Sequence, residues 1–316
     1  MFKALILFFL LGTGTIVAQD LVINASVIDA QTKRPIPFVN MIFVNHKIGT
    51  SADANGSFRF TVKERLKDES VYISCVGYEQ RTLKVSELLN STVSLNQELN
   101  TLSEVNLYKM HFENQKRVNS FRGKQIVGLG NFSGGAYPSA LARFYERPEK
   151  FEKACFLKSV EIQFYKILGK PSQKATFRLR VLSVDTDNKP GKDLLGADLI
   201  IDKPEGKQNL KVELIPYKIN VPQEGFFVVV EHIFIEENKF SESYTIKVND
   251  SIGYREYLVD RYAPVFKGVE TSPDDKEISA FYRSIGGWKS IELLNTAASA
   301  MNGKLPTPAF KILFTD

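Results

Sequence analysis

Short runs that alternate apolar and polar side chains recur along most of this chain. Leu21–Ile28 (LVINASVI), Phe38–Val44 (FVNMIFV), Ser57–Val62, Val71–Val76, Gln80–Val85 and Thr92–Leu95 are rich in Val, Ile, Phe, Tyr and Thr, with Gly, Pro, Asn and Asp between them. A period of two between such boundaries predicts strands, and their spacing of about 8–12 residues predicts a sandwich rather than a parallel sheet. Ser86–Asn90 (SELLN) reads as one helical turn capped by Ser86.

From His111 to Lys124 the sequence HFENQKRVNSFRGK is polar, basic and without period, which predicts a linker over 111–124. Beyond it the strand signals lengthen: Ser159–Ile167, Ala175–Val184, Leu194–Ile201, Leu210–Ile215 and Gly225–Ile235 (GFFVVVEHIFI). Later candidates are Ser243–Val248, Ile278–Ser284 and Phe310–Phe314, while Ile291–Met301 reads equally as a short helix or a structured loop. The pattern is all-β: a first sandwich over 20–110 and a larger, jelly-roll-like sandwich over 125–316.

The first residues change what counts as structure. Lys3, the apolar run Ala4–Gly12 and the small residues before Ala18–Gln19 have the layout of a signal peptide over 1–18. That run is shorter than the roughly 20 residues a membrane span needs. No Cys lies near the cut, so no lipid anchor is expected, nor any membrane span after signal removal. The expected location is periplasmic, outer-membrane-associated or extracellular. Without Lys3 the chain carries 40 basic against 36 acidic residues. An excess that small, dispersed along the chain, argues against nucleic-acid binding. Cys75 and Cys155 fall in different expected domains and read as two buried free thiols.

Three segments carry a family pattern: VIDAQTKRPIPFVNMIFV, GTSADANGSFRF and VYISCVGYEQRTLKV. With Asp29, Thr32, Pro35, Pro37, Gly49, Thr50, Asp53, Gly56, Phe58, Gly77 and Tyr78 in place, residues 20 to about 109 resemble the carboxypeptidase-regulatory-like domain. This family is widespread in Bacteroidetes-type bacteria and commonly precedes outer-membrane receptors of the TonB-dependent type. The resemblance implies a transthyretin-like Greek-key β-sandwich, with Leu102–Tyr108 as its last strand. It does not by itself imply an activity. Local physics accounts for the same residues: Asp29 and Thr32 bond nearby backbone, Pro35 and Pro37 hold the chain extended, and Asn55–Gly56 suits a hairpin turn. Residues 125–316 resemble, more loosely, the β-rich C-terminal region of similar two-domain flavobacterial proteins, which implies no known chemistry.

Chemistry-bearing patterns are sparse. Only His46, His111 and His232 exist, at spacings that suit no zinc motif, so no metal and no cofactor are expected. GNFSGG around Ser133 misses the spacing of a serine nucleophile elbow. Asp185, Asp187, Asn188 and Asp193 resemble a calcium loop, but Lys189 breaks the spacing, which favours a solvated hairpin. Glu231 stands out because it interrupts FFVVVEHIFI. A buried carboxylate there needs either an ion pair, with Arg178 or Arg180, or a ligand on a concave face. Tyr254, Tyr257, Tyr262, Phe281, Tyr282 and Trp288 crowd the last third, either as core or as a sugar platform with Arg261 or Arg283 beside it. Asp250–Ser251–Ile252 resembles a short O-glycosylation acceptor at Ser251.

These readings predict a non-enzymatic, exported envelope protein that binds a carbohydrate or an envelope protein, with Glu231, Tyr262, Tyr282, Arg283 and Trp288 as candidate ligand contacts. The rival readings are a carboxylate hydrolase centred on Glu231 and a structural accessory of a TonB-type uptake system.

Overall fold

The structure, a computed structural model, describes residues 20–98, 109–132, 136–151, 153–166, 173–249, 253–274, 279–294 and 303–316. Ser133, Ser251 and the expected strand Leu102–Tyr108 lie outside the described residues.

In the first module β1 (Asp20–Asp29) turns Ile23, Ala25, Val27 and Asp29 inward on a period of two. It is followed by β2 (Asn40–Phe43), β3 (Gly49–Ser51), β4 (Ser57–Lys63), β5 (Ser70–Ser74), β6 (Arg81–Lys84) and β7 (Ser91–Leu95). Two sheets form, ordered β4-β1-β7 and β3-β2-β5-β6. Met41, Phe43, Phe58, Val71, Ile73 and Val93 close the core between them. Asp29 at the end of β1 ties the module together. One carboxylate oxygen accepts the backbone N–H of Gln31 and Thr32 at 2.9 and 2.7 Å, and the other accepts Gln97 at 2.7 Å and the Tyr78 hydroxyl at 3.1 Å. The expected turn near Ser86 is a 3-10 turn over Val85–Leu88, but Ser86 does not cap it. Glu87 reaches back to accept the Lys84 backbone N–H at 2.7 Å instead.

The second module begins with β8 (Gln115–Asn119), β9 (Ile126–Leu129), β10 (Ala140–Tyr145), β11 (Phe156–Gln163), β12 (Ala175–Val184), β13 (Pro190–Asp193), β14 (Leu199–Lys203) and β15 (Asn209–Glu213). It continues with β16 (Phe226–His232), β17 (Lys239–Asn249), β18 (Gly253–Tyr262), β19 (Phe266–Thr271), β20 (Ala280–Ser284), β21 (Gly287–Ser290), β22 (Leu305–Pro308) and β23 (Lys311–Thr315). A seven-stranded sheet, β13-β12-β16-β10-β20-β21 with β14 also on β12, faces a four-stranded sheet, β15-β11-β23-β8. Phe177, Val181, Phe226 and Val230 from the first pack against Val160, Ile162, Ile312 and Phe314 from the second. Strands β22-β19-β9 form a third sheet, and β17–β18 a separate hairpin.

The expected linker 111–124 is corrected here. Residues 115–119 are β8, paired with β23 from Lys311↔Asn119 to Thr315↔Gln115. An edge strand that buries little beyond Val118 has no need of apolar alternation, so its polarity conceals it.

Candidate functional site

β16 is buried on both faces because the sandwich core covers one and the outer-face cluster with the first module covers the other. Phe226, Val228 and Val230 enter the sandwich core; Phe227 and Val229 join Phe281, Ala142 and Leu182 on the outer face. Glu231 shares that outer face. Directly paired residues on neighbouring strands point the same way, so register builds one row across the sheet: Arg178↔Glu231, Glu231↔Ala140, Ala140↔Arg283 and Arg283↔Trp288.

The row holds a buried ion cluster. Arg178, 1% exposed, donates from one terminal nitrogen to Glu231 at 2.9 Å and forks onto Asp198 at 2.5 and 3.1 Å. Its other terminal nitrogen also donates to the Phe38 carbonyl at 3.1 Å. Asn40 Nδ2 donates to the same Glu231 oxygen, Oε1, at 2.6 Å. Among the described residues, Glu231 Oε2 has no hydrogen-bond partner. Burial works to raise the Glu231 pKa; Arg178 first, then Arg180, Arg283 and the Asn40 amide overcome it and hold the carboxyl below its ordinary value. The alternative partner Arg180 is engaged by Asp193 at 2.9 Å.

Asn40 and Phe38 belong to the first module, so the cluster also joins the two modules. Beside it β3 docks on the second module. Gly49 N–H donates to Ala136 O at 2.8 Å, Ser51 N–H and Thr50 Oγ1 donate to Phe234 O at 3.0 Å each, and Phe234 N–H donates to Ser51 Oγ at 2.9 Å. Gly49 is required by close approach: a Cβ there would stand 2.5 Å from Met41 O and 3.0 Å from Tyr137 Cβ. Gly49→Ala is expected to cost about 1–3 kcal/mol of stability, as overpacking does. The urea midpoint measures it, and an unchanged midpoint contradicts so tight a junction.

Next to the cluster the modules leave a chamber of about 420 Å³. Its walls include Ile42, Val44 and Tyr72 from the first module and Pro138 and Ile285 from the second, with Ala140 in the row between Glu231 and Arg283. Glu231, Arg283, Asn40 and Ser74 also line an adjoining polar recess that reaches Arg178 and Arg180. The Arg283 guanidinium lies 6.0 Å from the Trp288 ring centre. Among the described residues, no acceptor engages its N–H groups.

The structure separates the residues singled out in the sequence. Glu231 and Arg283 meet at the chamber. Trp288 does not line it: the ring packs on the outer-face cluster and lies beneath Arg283. Tyr282 points to the opposite face from Arg283, against Phe132 and the main core. Tyr262 stacks on Phe234 at 3.9 Å, in a different, open groove that also takes in Arg59 and Lys239. All three are half-buried and none lines this chamber, so of the five expected contacts the chamber brings together only Glu231 and Arg283. Asp185 spends one oxygen on the backbone N–H of Asp187 and Lys189 at 2.8 Å each, as a solvated hairpin does. Among the described residues no three His, Cys, Asp or Glu side chains gather as a metal-binding set. Both thiols are free, Cys155 buried and Cys75 half-buried, and burial pushes their pKa values up to about 12 and about 11. Asn40, Asp198 and Ser51, whose hydroxyl donates to Asn40 Oδ1 at 2.8 Å, complete the cluster and were not among the sequence candidates. Asn40 inside the apolar FVNMIFV was the available signal.

Fold and site together define a protein of two docked β-sandwich modules with a chamber at their junction. Residues 23–107 match the CarboxypepD_reg-like domain family, which gives the first module its class and agrees with the motif residues. No curated protein sequence matches the chain. Among solved structures, the cysteine protease and lectin-like domains of a surface-layer-associated protein of Clostridium difficile are similar at 10% identity and a TM-score of 0.28. That likeness covers 60% of this chain and 36% of the other, so the chain spans about a third of its length. At that score it carries no argument about chemistry. Among the described residues, no helix is long and apolar enough to cross a membrane.

Proposed function

We propose that this chain is an exported, non-enzymatic envelope protein that binds a small ligand in the chamber between its two modules. The observation that carries this reading is a chamber with largely apolar walls lined by Arg283, whose donors meet no acceptor among the described residues. Ligand sites commonly combine such walls with a few placed polar groups. A scaffold role alone gives no reason for a guanidinium at the junction that no acceptor among the described residues engages.

The carboxylate hydrolase is the less favoured reading. A general acid must hold a proton near working pH, and glycoside cleavage takes two carboxyl groups flanking one bond. Glu231 is held ionised by Arg178, and among the described residues it is the only carboxylate on the chamber wall. None of the aromatics expected to stack on a sugar lines this chamber: Tyr262 faces a different groove, Tyr282 the main core and Trp288 the outer-face cluster, while Tyr254 and Tyr257 are exposed on β18. The signal-peptide layout of residues 1–18 supports export.

The test compares the full mature chain with Ala140→Leu, which fills the chamber floor without altering a charged group. Both are equilibrated with a small-molecule extract and examined by native mass spectrometry. Wild type is expected to retain a bound species, unchanged chemically, that Ala140→Leu does not. Equal retention by both proteins, no retention by either, or release of a converted product would each overturn the proposal.

A further inference from the structure

We infer that the chamber takes a free α-amino acid with an apolar side chain, its ammonium on Glu231 and its carboxylate on Arg283. This inference rests on the chamber being a ligand site, and it adds the chemical class. The two charged groups stand in one row on one sheet face with only Ala140 between them. Their Cα atoms are two strand spacings apart, about 9.6 Å. The methyl of Ala140 leaves that interval open, which makes it the floor of the chamber.

The two ends of the interval have opposite hydrogen-bonding needs. At one end Glu231 Oε2 has no partner among the described residues, while Oε1 is saturated by Arg178 and Asn40. At the other end the donors of Arg283 have no acceptor among the described residues. A ligand with an acceptor at both ends would leave Glu231 unsatisfied, and one with a donor at both ends would leave Arg283 unsatisfied. Either mismatch is costly in a partly desolvated site. The complementary ligand is dipolar, a donor cation at one end and an acceptor anion at the other. The N–Cα–C–O unit of an amino acid spans about 3 Å, and a charge-assisted hydrogen bond of about 2.8 Å at each end gives a bridge of roughly 8.5 Å. Both side chains rise from the same sheet face, so their tips are set apart by an interval of the same order, adjusted by their rotamers.

Local electrostatics point the same way. Arg178 is shared by two carboxylates, Glu231 and Asp198, and Arg180 is paired with Asp193. Arg283 offsets the one negative charge left over within this buried set, with the exposed Glu98 at the rim of the adjoining recess, so a neutral zwitterion adds no net charge where an anion or a cation alone would. The walls then specify the side chain: Ile42, Val44, Tyr72, Pro138 and Ile285 offer apolar surface.

The experiment is calorimetric titration of the full mature chain with leucine, N-acetyl-leucine, leucinamide, aspartate and glucose. Leucine is expected to bind, and each capped form to bind at least about tenfold more weakly, because each loses one charge-assisted contact. Aspartate adds an anion against apolar walls and is expected to bind weakly or not at all. Arg283→Gln is expected to weaken leucine at least about tenfold yet leave leucinamide unchanged. Far-UV circular dichroism and the thermal midpoint confirm that this half-exposed position still folds. Equal binding of leucine and leucinamide overturns the assignment. If glucose binds and leucine does not, the ligand class is wrong while the chamber reading stands. If no compound binds and Ala140→Leu also retains the same extract species as wild type, the chamber reading falls with it.

Discussion

Arg178→Met is expected to lower the unfolding free energy by about 3–5 kcal/mol, the range for removing one partner of a buried ion pair. The cost arises on the groups left behind. Glu231 is 5% exposed and would keep only the Asn40 amide. The Phe38 carbonyl would lose its donor from the second module. Asp198, 26% exposed, rehydrates more easily and contributes less. Lysine does not substitute well, because the Arg178 guanidinium forks onto Asp198 while also reaching Glu231 and Phe38 O, which one ammonium cannot reproduce. The double variant Arg178→Met/Glu231→Leu is expected to recover much of the loss, since replacing both members of a buried pair with apolar groups is often neutral. Urea denaturation of the single and double variants measures this. A single variant within about 1 kcal/mol of wild type would mean the cluster is better hydrated than its geometry indicates.

The strands were legible because each sandwich face imposes a period of two, and that imprint survives in LVINASVI and ATFRLRVLSV. It fails where a strand is not half-buried. β8 is polar because it lies at a sheet edge, and β3, three residues long, is too short to show a period. Glu231 was legible as an anomaly, a charge in an apolar run, and its partner was narrowed to two arginines two positions apart on one strand face. Register decides between them: Arg178 lies opposite Glu231, whereas Arg180 lies opposite Val229 and within reach of Asp193. No local pattern encodes that choice.

The chamber was not legible, because it belongs to the packing of one module on the other. Its two charged groups, Glu231 and Arg283, are brought together by the order of β16, β10 and β20, which are about 50 to 140 residues apart in sequence. Where Trp288 and Tyr282 would point was not legible for a related reason. Arg283 and Trp288 face each other through the tight Ile285–Gly286 turn, where Gly286 and Gly287 adopt φ of 90° and 107°. That turn places the Trp288 ring under a guanidinium instead of leaving it free for a sugar. Tyr282, one residue along, goes to the opposite face by the same alternation that made the strand recognisable.

Acidification supplies the other large effect, through His232. Burial pushes its pKa down to about 4, with hydrogen bonds to Pro264 and Ser139 opposing that shift only in part. Nε2 lies 3.2 Å from the Pro264 carbonyl, and Nδ1 is buried without a partner among the described residues. The folded protein therefore resists a proton that the unfolded chain accepts near the ordinary histidine value of about 6.5. The unfolded state binds more protons between those two values, so stability declines as pH falls from about 6.5 to about 4. The accumulated loss is roughly 3 kcal/mol. Carboxylates act lower on the scale. Glu231 and Asp29 are held below their ordinary values, so their stabilisation is present above those values and is lost only on further acidification. The two effects are thus separable by pH. His232→Phe keeps an aromatic ring against Phe266, 5.0 Å away in the wild type, and removes the titrating group. Urea midpoints from pH 7 to 4 are expected to fall for wild type and to stay nearly level for His232→Phe down to about pH 4.5. Parallel slopes for the two proteins would show that His232 takes up its proton in the folded state.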